Sequence, residues 1–521
     1  MNEALDYIID QILTHGRTDI STLKSEAAKK FKLEKTLKTS DIFQHIPNEK
    51  LTPELTKLLK RKPMRTLSGV TPIAVMIKPE GSCNWQCIFC PFTGKAAKSY
   101  TGEEPAALRS RQNNYDPFLQ AKARLHQFQI NGHPTDKCEV IVMGGTFLAM
   151  DQSYKTSFIK GIYDALNEKE SKTLAAALEI NESALHRIIG LTIETRPDVC
   201  TRRHINEILL YGATRVELGV QHPDDELYKR TKRGHLIQHV VDATQLLKDA
   251  SFKVLYHVMP GQPGSNPDKD IAMVKNLFDN EVFRPDMIKI YPTLVIGGTE
   301  LYEQMRRGEF EPYSSEQAAD VISEFYRYIP RYVRVMRIQR DIPATKIERG
   351  VTKSNLRELV EEAIRKKRVH PQEIRMREVG LQKVSIDLSE FSLERLAYAA
   401  SNGTEIFLSY EETKKNLIAG FIRLRIPTES HRSEITASTA LIRELHVYGN
   451  EAPLNKIATV QHHGLGTRLL EEAERIAYEE FDKKKMIIIS GVGVRPYYYR
   501  YGYHPEGPYV AKALATTSSS L

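Results

Sequence analysis

The chain has 521 residues, is 41% hydrophobic and 27% charged, and carries a formal net charge of +8. That length fills two or three domains able to bury their own cores, and the composition excludes a disordered or fibrous chain. Five cysteines are too few and scattered for a disulfide framework, which points to the cytoplasm, and no apolar run approaches membrane-spanning length, so no membrane partner is expected.

The opening MNEALDYIIDQIL places Leu5, Ile8, Ile9 and Ile12 at helical spacing and lacks the basic start of a signal peptide. To about Pro63 the text reads as short basic helices, closing on Lys57, Lys60, Arg61, Lys62 and Arg65. From Thr71 the pattern changes. Candidate strands at Ile73–Ile77, Val140–Met143, Leu191–Glu194, Arg215–Gly219, Lys253–His257 and Met287–Ile290 alternate with amphipathic helices such as Asp116–Asn131, Thr201–Tyr211 and Asp268–Asp279. Repeated βα units predict a parallel sheet, open or closed into a barrel, with chemistry at the C-terminal strand ends. Gly144-Gly145-Thr146, Glu194 and Gln221 each follow or end a strand and should converge there.

Arg327, Arg331, Arg334, Arg337 and Arg340 recur next, and a basic helical connector carrying Arg365-Lys366-Lys367-Arg368 runs from about Pro343 to Arg375. Beyond it, Glu405–Tyr410, Leu417–Arg425 and Ala437–Tyr448 read as antiparallel strands, followed by a helix at Gly464–Phe481 and a strand at Met486–Ser490. A single basic cluster is as well explained by a solvated helix face. Three in one chain favour a polyanionic partner.

The densest chemistry lies directly after the first strand, in GSCNWQCIFCP, where Cys83, Cys87 and Cys90 are spaced x3 and x2. Zinc usually takes four N/S ligands in two spaced pairs, and no second pair exists here. Iron–sulfur clusters are held by cysteine thiolates, four of them in an all-protein [4Fe–4S] site. Three in one loop would hold three irons and leave the fourth open to chelate the amino and carboxylate groups of S-adenosylmethionine (SAM). This spacing is the signature of radical-SAM enzymes.

A second constellation opens the last helix. In Gln461-His-His-Gly464-Leu465-Gly466-Thr467, closely spaced glycines let backbone N–H groups face a phosphate, whose charge the helix dipole favours. A plain glycine-rich helix cap is the competing reading. The following strand and GVGVRPYYYRYGY from Gly491 favour the pyrophosphate loop of GCN5-related N-acetyltransferases, with tyrosines beside a thioester.

Both loops in one chain, with SYTGEEPA (Ser99 to Ala106), IVMGGTF (Ile141 to Phe147), IETRPD (Ile193 to Asp198), KIYPTLVI (Lys289 to Ile296) and RELHVYG (Arg443 to Gly449), resemble the catalytic acetyltransferase subunit of Elongator over about Arg65 to Val510. The resemblance implies an α/β protein with a basic helical tRNA-binding segment (1–70), a radical-SAM partial (β/α) barrel (71–342), a basic connector (343–380) and a GCN5-related N-acetyltransferase domain (381–521). It implies a tRNA carboxymethyluridine synthase. Acetyl-CoA docks on the acetyltransferase domain, a deoxyadenosyl radical abstracts hydrogen from the acetyl methyl, and the carbon radical adds to C5 of the wobble uracil. Thioester hydrolysis then releases CoA.

By the same resemblance Cys83, Cys87 and Cys90 ligate a [4Fe–4S] cluster, and Gly144 and Gly145 approach SAM. Lys137 contacts acetyl-CoA; Glu444, Leu445, His446 and Val447 lie on the strand that pairs with pantetheine; Gly464, Leu465, Gly466 and Thr467 form the pyrophosphate turn; Tyr497 and Tyr498 sit at the thioester. Without the resemblance Lys137 reads as an ordinary exposed lysine. The basic N-terminal helices and the Arg327–Arg340 region are the candidate tRNA surface, facing the anticodon region. The sequence leaves open homodimerisation and Elongator-like accessory subunits.

Two departures stand out. Many relatives space the first two cluster cysteines by nine residues, and many carry extra, zinc-capable cysteines where this chain reads Arg368 to Gly380 with none, so a zinc site is not expected. The competing function is a protein lysine acetyltransferase with a structural cluster, for which Glu444 would be the base. A basic chain is a poor partner for lysine-rich substrates. A non-catalytic tRNA scaffold would show degraded loops, and both loops are intact.

Overall fold

The structure is a computed structural model and describes residues 1–60, 66–81, 83–382, 386–449 and 464–515. The N-terminal segment forms helices Asn2–Leu13, Ile20–Lys30, Thr39–His45 and Pro53–Leu59. Each apolar stripe turns inward, so Leu5, Ile8, Leu23, Ile42 and Leu59 share a small core. Asp19 caps the second helix by accepting from Ser21 and Thr22, and Thr52 caps the fourth ahead of a proline at its first turn.

Seven parallel strands follow in sequential order, β1 (Thr71–Met76), β2 (Lys137–Met143), β3 (Arg187–Thr195), β4 (Arg215–Gln221), β5 (Lys253–Val258), β6 (Met287–Ile290) and β8 (Arg334–Ile338). Two short strands, β7 (Val295–Ile296) and β9 (Ile347–Arg349), pair antiparallel outside this sheet. β1 and β8 do not pair, so the barrel is partial. Its outer face is apolar, with Val140, Ile193, Val216, Val254 and Ile288 packed in the main core. Its lumen is polar, and inward positions include Arg215, Glu217, His257 and Lys289.

β8 is the strand that sequence reading passed over. Its text RVMRI reads as surface because arginines interrupt it, yet Val335 is fully buried and Arg334 turns toward Glu378. Alternation is the mark of a strand with one polar face. Here the polar face is the lumen rather than solvent.

The C-terminal domain is a second sheet in the order β10 (Ser392–Ala400), β11 (Gly403–Glu412), β12 (Leu417–Ile426), β13 (Thr439–Val447), β14 (Lys485–Ile488), β16 (Tyr509–Ala513) and β15 (His504–Glu506). β10 and the closing β15–β16 hairpin join the strands expected from sequence. All pairs are antiparallel except β13–β14. Those two stay paired only to Ile442↔Ile488, whereas β13 continues beside β12 to Val447, so β13 and β14 splay apart. The expected single helix at Gly464–Phe481 is an α-helix, Leu465–Arg475, that widens into a π-turn at Ile476–Glu480.

The second domain docks on the N-terminal ends of the barrel strands through buried charges. Arg443 on β13 bonds both oxygens of Asp286 at 2.7 and 2.6 Å and Glu405 at 2.7 Å. Arg425 spans Glu405 at 2.9 Å and Asp249 at 2.5 Å. Among the described residues no helix is long and apolar enough to cross a membrane.

Candidate active site

Two cavities occupy opposite ends of the barrel. At the C-terminal strand ends a cavity of about 430 Å³ is lined by Cys83, Cys87 and Cys90. The cysteine loop follows β1 directly, and a bond from the Cys90 N–H to the Cys87 carbonyl (3.0 Å) folds it into a tight turn. Arg233 directs a guanidinium N–H at Cys87 Sγ from 3.3 Å, and Arg196 lies 3.9 Å from the same sulfur. Arg196 is itself fixed by Asp198 (2.9 Å) and lies 4.1 Å over the Trp85 ring.

Burial, then the charges of Cys87 and Cys83, push the Cys90 thiol up to about 12, so its thiolate is disfavoured unless positive charge is brought beside it. Three sulfur donors in one cavity suit a cluster with an open iron. Cys138 and Cys200 lie buried elsewhere, each pushed up to about 12 chiefly by burial, and offer no fourth ligand.

Gly144 and Gly145 end β2 with φ of +116° and +57°, and a Cβ at Gly144 would meet Ala97 and Ile77 at 2.9 Å. That contact seats the strand end against the cysteine loop, and Gly145 lines the cavity. Thr146, Glu194 and Gln221 line it too, as strand order implied. Buried Oγ1 of Thr146 and Oε1 of Gln221 lack hydrogen-bond partners, which leaves polar groups for a polar guest.

Sequence reasoning did not single out the lumen charges beneath. Glu217 accepts from His257 Nε2 at 2.7 Å and from Lys289 Nζ. Burial raises its pKa, but Lys289 and His257 overcome that and hold the carboxyl well below its ordinary range. A lone charge in an otherwise apolar strand, as at Lys289 in MIKI, was the available signal.

At the N-terminal strand ends a cavity of about 1040 Å³ opens between the domains. Lys137, Glu444, Leu445, His446, Tyr497 and Tyr498 all line it. Val447 and Gly464–Thr467 do not, but Gly466 lies beside the wall, since a Cβ there would sit 3.1 Å from the Tyr497 hydroxyl. Gly464 caps the helix at φ +76°. Gln461 to His463 of the same motif fall outside the described residues.

Burial pushes both Tyr497 and Tyr498 above the ordinary tyrosine range, so they stay protonated and can donate hydrogen bonds. Burial lowers His446, which keeps its ring neutral. Glu444 is not a free base. Burial raises it, but Arg423, bonded at 2.8 Å, and Lys253 hold it below its ordinary range. That removes the acid–base argument for lysine acetylation.

The expected tRNA surface needs correction. Arg331 pairs with Glu411, Arg334 with Glu378, Arg337 with Asp341 and Arg327 with Glu324 at 2.6 Å, while Arg340 donates to Ser99 Oγ at 3.2 Å. Arg331 and Arg334 tie the barrel to elements far along the chain and are structural, whereas Arg327 and Arg337 make short-range pairs and stay part-exposed. In the connector, Lys367 pairs with Asp320 at 2.7 Å and Lys366 with Glu362 at 2.7 Å. Lys29, Lys30 and Lys57 of the N-terminal helices are exposed; Arg61, Lys62 and Arg65 fall outside the described residues.

A three-thiol loop above a parallel partial barrel, joined to a splayed acetyltransferase sheet, defines a radical-SAM enzyme with an acyl-CoA domain. Models for the radical-SAM superfamily, its C-terminal domain and the ELP3 N-terminal domain match residues 77–277, 285–366 and 1–67. The chain is 50% identical to the tRNA uridine(34) acetyltransferase of Methanocaldococcus jannaschii, over 91% of this chain and 90% of that protein. It is 39% identical to human Elongator complex protein 3, over 95% and 93%. A solved structure of Methanocaldococcus infernus Elp3 lacking its N-terminus superposes with a TM-score of 0.78 at 48% identity, covering 86% of this chain and all of that one. The chain belongs to the Elp3 family.

Proposed function

We propose that this chain modifies the wobble uridine of tRNA, attaching at C5 a carboxymethyl group drawn from acetyl-CoA. The observation that carries the reading is the pair of cavities on one barrel, a three-thiol site at one end and an acyl-CoA-sized site at the other. The relatives named as tRNA uridine(34) acetyltransferases supply the nucleoside.

Cys83, Cys87 and Cys90 would hold the [4Fe–4S] cluster, which with SAM bound would supply the radical chemistry needed to activate an acetyl C–H bond. Arg233 and Arg196 balance the anionic charge at Cys87, and Gly145 leaves room for the SAM amino end. In the other cavity Lys137 neutralises CoA charge and Glu444, Leu445 and His446 on the splayed edge of β13 pair with pantetheine; Val447 continues that edge, and the turn at Gly464–Thr467, beside the cavity rather than in its wall, takes the pyrophosphate. Tyr497 and Tyr498 donate to the thioester carbonyl or orient the hydrolytic water. Exposed Lys29, Lys30 and Lys57 supply phosphate contacts to the anticodon arm.

The test is anaerobic. Reconstituted protein receives SAM, reductant, acetyl-labelled acetyl-CoA and unmodified tRNA, and nucleosides are analysed by mass spectrometry. Label in carboxymethyluridine, absent with Cys87→Ala, is the expected result. Label on protein lysines with none in tRNA would transfer the function to lysine acetylation.

A further inference from the structure

The two cavities pose a geometric problem. Acetyl-CoA docks at the N-terminal strand ends, whereas the thiol cavity lies at the C-terminal ends. From Lys137 to Met143, both on the lumen side of β2, the backbone advances roughly 20 Å at about 3.3 Å per residue. The acetyl methyl must cover much of that distance.

The lumen between them is unlike an ordinary barrel core, which is filled by bulky branched residues. On β4, Arg215 lines the larger cavity and Glu217, two residues on, the smaller. Arg215 reaches back to Glu139 at 2.6 Å. Glu217 continues forward to Lys289, which lies 3.9 Å from Glu194, and Glu194 accepts from the Tyr100 hydroxyl at 3.2 Å. Polar groups therefore run in a chain from one cavity toward the other.

That chain has one gap. Arg215 Nε and Glu217 Oε1 are buried, make no hydrogen bond, and stand 3.7 Å apart. Leaving two buried charged atoms unpartnered is costly, and the packing gains nothing from it. Leu255 closes the same level. It is fully buried and lies in register between Glu217, which lines the smaller cavity, and Met287, which lines the larger. Lys253 and His257, on either side of it along β5, line the larger and the smaller cavity respectively. Along β2, β4, β5 and β6 the inward lining thus passes from the larger cavity to the smaller within two to four residues, with Leu255, Thr192 and the loose Arg215–Glu217 pair at the level between.

We propose that the barrel lumen is the channel for the acyl arm of acetyl-CoA, with Leu255 and the Arg215–Glu217 gap as its constriction. The thioester end threads from the inter-domain cavity along the inward faces of β2, β4 and β5. The unpartnered Nε–H of Arg215 meets its carbonyl on the way. This inference rests on the function proposed above and adds the route by which the acetyl group reaches the thiol cavity.

Two experiments test it. A short diazirine-bearing acyl-CoA is irradiated with the full-length protein lacking its cluster, and adducts are mapped by peptide mass spectrometry. Adducts on Leu255, Ile141 or their lumen neighbours are expected; adducts confined to the acetyltransferase domain or the outer surface would overturn the channel. In the second, reconstituted protein receives methyl-deuterated acetyl-CoA and tRNA, and deuterium is followed into 5′-deoxyadenosine. Leu255→Phe should cut that transfer about 10²-fold with cluster content kept, while Leu255→Met, of similar volume, restores most of it. Undiminished transfer in Leu255→Phe refutes the channel. If the unsubstituted protein transfers no deuterium, the proposed function fails, and the cross-linking pattern still decides whether an acyl arm enters the lumen.

Discussion

Arg443 is the side chain on which the docking of the two domains most depends. Its guanidinium makes five hydrogen bonds, to Asp286 at 2.7 and 2.6 Å, to Glu405 at 2.7 and 3.2 Å and to the Phe252 carbonyl at 2.8 Å. Arg443→Met keeps the aliphatic stem and strands two buried carboxylates. Breaking a buried pair from one side costs about 3–5 kcal/mol. Asp286 retains the Val254 N–H at 2.8 Å and Glu405 retains Arg425 at 2.9 Å, which places the loss near the lower end, about 3 kcal/mol. Calorimetry with urea titration should show that loss, and acetyl-CoA affinity should fall with it, because the larger cavity is built from both domains. Adding Asp286→Asn should recover part of the stability by removing one stranded charge. A loss below about 1 kcal/mol, the range of an exposed pair, would refute the account of the interface.

The same network fixes a pH dependence. Burial raises the Asp286 carboxyl, but Arg443 and Lys248 overcome it and hold the group far below its ordinary value. A depressed carboxylate stabilises above its unfolded pKa, about 4, and that contribution declines as pH falls below it. Unfolding midpoints should therefore be flat from neutrality to about pH 5 and drop below pH 4, less steeply in Arg443→Met; equal slopes would exclude Asp286 as the cause. Gly144→Ala, which forces a Cβ to 2.9 Å from Ala97 and Ile77 at φ +116°, should cost about 1–3 kcal/mol and weaken SAM binding, read by thermal unfolding and calorimetric titration. Tyr498→Phe should slow turnover by about 10²-fold while leaving acetyl-CoA affinity largely intact. Neutralising Lys29, Lys30 or Lys57 should reduce the salt slope of tRNA binding by about one for each lysine replaced, whereas Arg334→Met should lower stability and leave that slope unchanged.

What the sequence alone determined lies in short stretches of chain. The Cys83–Cys90 spacing, the paired glycines after β2, the glycine turn before the last helix and the βα alternation each carry their physics within a few residues. Cluster ligation, left-handed backbone and strand period need no knowledge of what packs where. Tertiary structure decided the rest. Arg334 reads as a surface cation until Glu378, far along the chain, is found beside it. Lys289 looks like a solvated lysine until β4 brings Glu217 and β5 brings His257 to its side. Whether a charge is solvated or buried is set by the partners that folding delivers, because burying it is tolerable only when they are present. Those partners come from strands tens to hundreds of residues apart, and no local pattern records them. The placement of the two cavities at opposite ends of one polar lumen belongs to that second kind of fact, for it exists only once the sheet has curled and the second domain has closed one end.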